Sequence, residues 1–398
     1  MNMKLSNKSQ NLPIQFFAAL VQKVNAAIAE GRDVINLGQG NPDRPTPPHI
    51  IKAMQEATTN PQTHKYSPFR GIHELKEAAA AFYKREYSVD IDPDTEVAIM
   101  GGSKIGLVEL PMAILDSGDS MLLPDPGYPD YLSGVVLGDV HFDTMPLLEE
   151  NEFLPDYEAL SEEVKNRAKL MYLNYPNNPT GGTATLEFFE NTVQLAKEND
   201  ITVVHDFAYG ALGFDGKQPV SFLQADGAKE VGIELYTLSK TYNMAGWRIG
   251  FAVGNAEIIE AINVIQDHLF CSVFPAIQHA AVAALNGNQD CVEEQRAIYE
   301  SRRNVLIEEA YRIGWDIKAP SGSFFAWLKV PEGYTSEEFS DLLLDKANVA
   351  VASGNGFGEY GEGYIRVGLL VSEERLIEAI ARIEKLELFK DKAVSITK

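Results

Sequence analysis

Cysteine is nearly missing from this chain, with Cys271 and Cys291 the only two among 398 residues. Two thiols cannot build a disulfide framework, and their spacing matches no metal-ligand pattern, so no metal is expected and a reducing cytoplasm is. Basic charge is scarce as well. Lys and Arg total 34 against 57 Asp and Glu, a formal net charge of −23. That balance argues against nucleic acid or an anionic membrane as the main partner, although one pocket can still be basic enough for a small anion. No apolar run approaches membrane-span length, and the start, MNMKLSNKSQNLPIQ, lacks the apolar core of a signal peptide. Repeats and low-complexity linkers are absent, and no arginine stands between 249 and 295.

What is present fits a globular protein: 45% hydrophobic and 23% charged residues, in a chain long enough for two or three packed units. From about 95 to 255, short β-type runs alternate with helical patterns. The runs are TEVAIM (95–100), SMLLPD (120–125), KLMYLNY (169–175), ITVVHD (201–206), ELYTLS (234–239) and RIGFAV (248–253), and LEFFENTVQLAKEND (186–200) has helical spacing. This predicts an α/β unit over 46–290 with a mainly parallel sheet between helices. The stretch 257–312 reads as mostly helical. Strands SFFAWLKV (323–330) and YIRVGLL (364–370), with helices at 336–347 and 372–386, predict a smaller α+β unit over 291–398. Residues 1–45 are expected to fold back onto it.

Chemically capable residues cluster at the carboxyl ends of the predicted strands, the rim where open parallel sheets bind ligands. Asp206 ends ITVVHD, Asn178 lies in NYPNNPTG, and Lys240 follows ELYTLS. Singly, each has an ordinary explanation: a helix cap, a turn, a surface cation. Together along one rim they suggest a site. A lysine at the end of a buried strand is desolvated, keeps more free amine, and can form a Schiff base with a carbonyl. If that carbonyl belongs to pyridoxal phosphate, a buried carboxylate such as Asp206 must hold the ring nitrogen protonated. The turn MGGSKIG, leading into a helix, offers Ser103 and Lys104 backbone donors to a phosphate, and Arg248 can reach the same group. Two cations in TLSKTYNMAGWRIG (237–250) are thereby explained, one for the aldehyde and one for the phosphate.

That stretch resembles the lysine motif of class I/II pyridoxal-phosphate aminotransferases of fold type I, and the resemblance runs through the chain in order. LGQGNPD, KYSPFRG, GGSKIGL, PDPGYPDY, NYPNNPTG, HDFAYG and YIRVGL all have counterparts in the family. The resemblance implies a PLP-dependent transferase, with Lys240 holding the aldehyde and serving as base. Asp206 would pair with the ring nitrogen, Tyr209 and Asn178 would bond the 3-oxygen, and Tyr128 would stack on the ring. Ser103, Lys104 (through its backbone), Thr237, Ser239 and Arg248 would hold the phosphate. Tyr66 would come from a second subunit, implying a homodimer with shared active sites. Arg366, Asn178 and the backbone of Gly40 would grip the substrate α-carboxylate.

The missing arginine between 249 and 295 speaks against a dicarboxylate clamp. Phe16, Phe17, Phe69 and Phe357 are expected near the mouth, suggesting a neutral substrate. LPIQFFAALVQKVN, HDFAYG and GNGFGEYGEGYIRVGLL resemble most the bacillus-type methionine-salvage branch. This implies amination of 4-methylthio-2-oxobutanoate to methionine, with glutamine among the donors. A carbon–sulfur β-lyase, or an aminotransferase of other neutral or aromatic amino acids, shares the same core residues. A non-catalytic regulator lacks its basic extension here, and a nicotinamide enzyme fails because LGQG is no full GxGxxG.

Overall fold

The apolar runs of the chain's middle assemble, in the computed structural model, into one seven-stranded sheet; the structure describes residues 5–13 and 15–389. Its strands are β1 (Val97–Met100), β2 (Ser120–Asp125), β3 (His141–Pro146), β4 (Ala168–Leu173), β5 (Thr202–Asp206), β6 (Gly232–Thr237) and β7 (Gly250–Gly254). They lie in the order β1-β7-β6-β5-β4-β2-β3. All neighbours run parallel except β7, which is antiparallel to both β1 and β6. The expected strand near 248–253 is therefore the one reversed member. Most strands are buried on both faces, which is why they read as continuous apolar runs. β3 is the exception. As a mostly exposed edge strand, HFDTMP carries no hydrophobic signal, and sequence reading missed it.

Alternating side chains send Met171, Leu173, Val203 and Phe251 into an apolar layer on one face. Met121, Leu123, Val204 and Leu235 fill the layer on the other. Helices α2 (Ser103–Ile114) and α3 (Leu186–Asn199) lie on opposite faces; α3 starts with Thr185 accepting the Phe188 N–H.

A third apolar cluster surrounds an antiparallel sheet of β8 (Phe325–Lys329), β9 (Ala352–Ser353) and β10 (Tyr364–Gly368), in the order β9-β10-β8. Ile35–Asn36 pairs in parallel with Val349–Ala350, so the chain's early part is joined to its last hundred residues. Helix α1 (Phe16–Ala29) precedes that pairing, and α4 (Asp290–Arg312) runs unbroken for 23 residues. The expected helix over 336–347 keeps α geometry only to Leu342, then widens into a π turn closed by Asn348 at φ 54°. Among the described residues, no helix is long and apolar enough to cross a membrane.

Candidate active site

At the carboxyl ends of β5 and β6, a cavity of about 670 Å³ opens between the large sheet, the segment 36–41 and β10. Asp206 is the last residue of β5, level with Leu235 of β6. β6 ends at Thr237, and the chain turns at once into a short helix, Leu238–Thr241, that carries Lys240 over the strand ends. Thr237 caps this turn by accepting the Ser239 N–H at 3.2 Å.

Lys240 Nζ donates to the Gly40 carbonyl at 3.0 Å. Burial, reinforced by the charges of Arg366 and Arg248, lowers its pKa to about 8. Roughly a tenth of such an amine is neutral at pH 7, against well under a thousandth for an ordinary lysine. Asp206 is pushed the other way, to about 6 by burial, and a hydrogen bond from Tyr131 at 3.1 Å resists the rise. Its Oδ2 has that partner; its Oδ1 is buried with no hydrogen-bond partner among the described residues. A buried carboxylate oxygen left unpaired is costly, and here it borders the cavity.

Ser103 opens α2 at one end of the cavity, preceded by Gly102 at φ 93°. A Cβ on Gly102 would stand 2.4 Å from an Arg248 guanidinium nitrogen, so glycine is what lets that cation lie over the helix start. Arg248 itself adopts φ 55°, a strained conformation for a long side chain, and so brings its guanidinium to the lining. Ser103, Thr237, Ser239 and Arg248 line this end together, a set of donors that could hold an anion. Lys104 also lines the cavity, but its ammonium is engaged by Asp130 at 2.7 Å.

Arg366 marks the other end. It is 1% exposed, donates to Asn178 Oδ1 at 2.8 Å and to the Gly38 carbonyl at 3.0 Å. Burial lowers its pKa to about 9, which leaves it charged at neutral pH. Its Nε has no hydrogen-bond partner among the described residues. Tyr128 and Tyr209 line the wall between the two ends, and burial raises both hydroxyls' pKa values, so each stays protonated.

The structure thus gathers twelve of the thirteen residues named from sequence. Tyr66 is the exception: it is 90% exposed and does not line this cavity. Of the four phenylalanines, Phe17 lines the cavity, while Phe16 and Phe357 pack with it. Phe69 is exposed and stays outside. Sequence reading missed Tyr131, which steadies Asp206, and Asn174. The latter donates to the Asp206 carbonyl at 2.7 Å and accepts the Asn178 N–H at 2.8 Å. It also missed Phe325, whose ring lies 3.9 Å from the Arg366 guanidinium carbon. Asn174, at the end of the apolar run KLMYL, was the one signal on offer.

A family model described as aminotransferase class I and II matches residues 32–383. The L-glutamine–4-(methylsulfanyl)-2-oxobutanoate aminotransferase of Bacillus subtilis is 66% identical over 397 residues, with 100% of both chains covered. Transaminase BacF of the same organism is 49% identical, covering 96% of each chain. Among solved structures, substrate-bound BacF superposes with a TM-score of 0.93 at 48% identity, across 100% of both chains. An aminotransferase from Staphylococcus aureus gives 0.91 at 40% identity, covering 97% of this chain and 100% of its own.

Proposed function

The chain belongs to the class I and II aminotransferases, and on that premise we propose that it carries an amino group from L-glutamine to 4-(methylsulfanyl)-2-oxobutanoate, forming methionine, with pyridoxal phosphate as cofactor. The observation that carries this reading is the pairing, in one cavity, of a desolvated Lys240 with a half-partnered Asp206. Similarity to the Bacillus subtilis enzyme of that specificity supports the substrate pair.

The residues present fit the cofactor. The free Oδ1 of Asp206 suits a protonated ring nitrogen. The cradle of Ser103, Thr237, Ser239 and Arg248, opened by the missing Cβ of Gly102, suits a phosphate. Lys240 would hold the aldehyde, and Tyr209 and Asn178 the 3-oxygen. When bound, pyridoxal phosphate supplies an electron sink for the bond broken at the substrate's Cα.

The chain's own groups do the rest. Arg366 receives the substrate carboxylate with its planar fork, and Asn178 fixes the guanidinium from the side. Lys240 Nζ, with a pKa near working pH, takes the proton from Cα and returns one on the other side of the reaction. Tyr128 and Tyr209 wall the centre from water. Phe17, Leu20 and Val21 of α1 supply apolar lining that suits a thioether chain.

The exposed Tyr66, with Phe69, Leu269 and Phe274 also exposed, supports a homodimer in which Tyr66 completes the second copy's phosphate site. The two unpaired cysteines are in keeping with the cytoplasm. Steady-state kinetics over a panel of 2-oxo acids, with cofactor supplied, tests the substrate. The methylsulfanyl acid is expected to give the highest kcat/KM. Preference for oxaloacetate or 2-oxoglutarate, or release of pyruvate from cysteine-type substrates with no oxo acid present, overturns the assignment.

A further inference from the structure

Arg366 is boxed by three rings: Phe325, Phe357 and Phe17 lie 3.9, 4.8 and 4.9 Å from its guanidinium carbon. Phe325 is held by the ladder of β8, next to Arg366's own strand. Phe357 has no such support, since it ends a single turn of 3-10 helix, Gly354–Phe357.

Asp125, the last residue of β2 in the large sheet, reaches that turn. Its Oδ2 accepts the Glu359 N–H at 3.1 Å and its Oδ1 the Tyr360 N–H at 3.0 Å. Two residues on, Gly127 N–H donates to the Phe357 carbonyl at 2.8 Å. Gly358 makes the approach possible: at φ 136°, a Cβ there would stand 2.0 Å from Asp125 Oδ1. Asp125 is 6% exposed, and burial raises its pKa. A carboxylate buried with backbone donors rather than a cation is expensive, so those donors have to be worth holding. The following loop continues to Tyr128 on the cavity wall.

We propose that Asp125 is a positioning residue for substrate carboxylate binding: by clamping the 357–360 turn it presses Phe357 against Arg366 and fixes the plane of the guanidinium. A guanidinium freed from one wall keeps its charge but loses its aim. Two-pronged recognition of a carboxylate depends on that aim. The inference rests on the reading above, in which Arg366 binds the substrate carboxylate.

The test uses cofactor-loaded Asp125→Ala, with Phe357→Leu as a second variant that leaves the clamp intact. Three quantities are compared: kcat and KM for methionine, calorimetric binding of 4-(methylsulfanyl)butanoate, and single-turnover reaction with 3-(methylsulfanyl)propylamine, which has no carboxylate. Loosened aim is expected to lower kcat/KM for methionine roughly ten- to hundredfold, mainly through KM, and to weaken the carboxylate ligand in parallel. The amine rate and the cofactor's visible band stay within twofold of wild type. Phe357→Leu reproduces the pattern more weakly, and decides the matter if Asp125→Ala does not fold. Equal loss with amine and amino acid, or unchanged carboxylate affinity, overturns the proposal. Wild-type enzyme that treats amine and amino acid alike would instead sink the role of Arg366.

Discussion

His205 and Asp206 are consecutive residues of β5, and their side chains leave opposite faces of the sheet. Below it, His205 Nδ1 lies 2.6 Å from Glu234 Oε1, and its Nε2 meets the Tyr175 backbone. Glu234 also accepts the Phe222 N–H and the Ser221 hydroxyl, each at 2.6 Å. Both side chains are 0% exposed, and neither has an unpartnered atom. Above the sheet, Asp206 and Arg366 are nearly as deeply buried and Lys240 partly so, but their hydrogen bonding is incomplete. Among the described residues, Asp206 Oδ1 and Arg366 Nε have no hydrogen-bond partner, and Lys240 Nζ donates only to a carbonyl. A polar network closed on itself holds a fold together. One left open, at similar burial, marks where a ligand completes the hydrogen bonding.

Mutating the two faces should separate these roles. The largest effect is expected from Lys240→Met, which removes the proton-transferring amine and should cut kcat by roughly 10⁴-fold. Thermal unfolding of that variant without cofactor should match or exceed wild type, because a desolvated amine beside two arginines is gone. Glu234→Ala should do the reverse, costing about 3–5 kcal/mol of stability while the folded fraction keeps kcat within a few-fold. Equal destabilisation by both substitutions, seen in urea titrations, would erase the contrast.

Arg366→Lys comes next. It keeps the charge but loses the fork, and should lower kcat/KM by about a hundredfold, read in steady-state assays with methionine.

The smallest effect sharpens the picture of the open face. In cofactor-free protein, reagent labelling of Lys240, followed by peptide mass spectrometry, should show a midpoint near pH 8 rather than the ordinary 10.5. Because the folded pKa is the lower one, the unfolded chain binds more protons between those values. Lys240 therefore makes stability rise with pH across that window, and Lys240→Met should flatten the rise. A labelling midpoint near 10.5 would mean the amine is not desolvated.

Much of this was legible in the residues. Strands β2 and β5 were expected within a residue of their bounds because buried parallel strands announce themselves as apolar runs. The spacing of Lys240 and Arg248 was readable because both belong to one turn between adjacent strands. Other features left no local trace. β3 is an edge strand with little to bury. Tyr131 ends PDPGYPDY, and nothing near it points 75 residues ahead to Asp206. Asp125 ended a strand without any hint of the turn it clamps 234 residues later.

Which groups would be available, and their order along the rim, followed from the chain alone, since strand periodicity and short turns are set by neighbouring residues. Packing decided what those groups became. Arg366 meets Asn178 across 188 residues, and Lys240 loses its ordinary basicity only when β10, the 36–41 segment and the strand ends close over it. Desolvation and orientation belong to the assembled cavity, because both depend on atoms that are far apart until the chain folds.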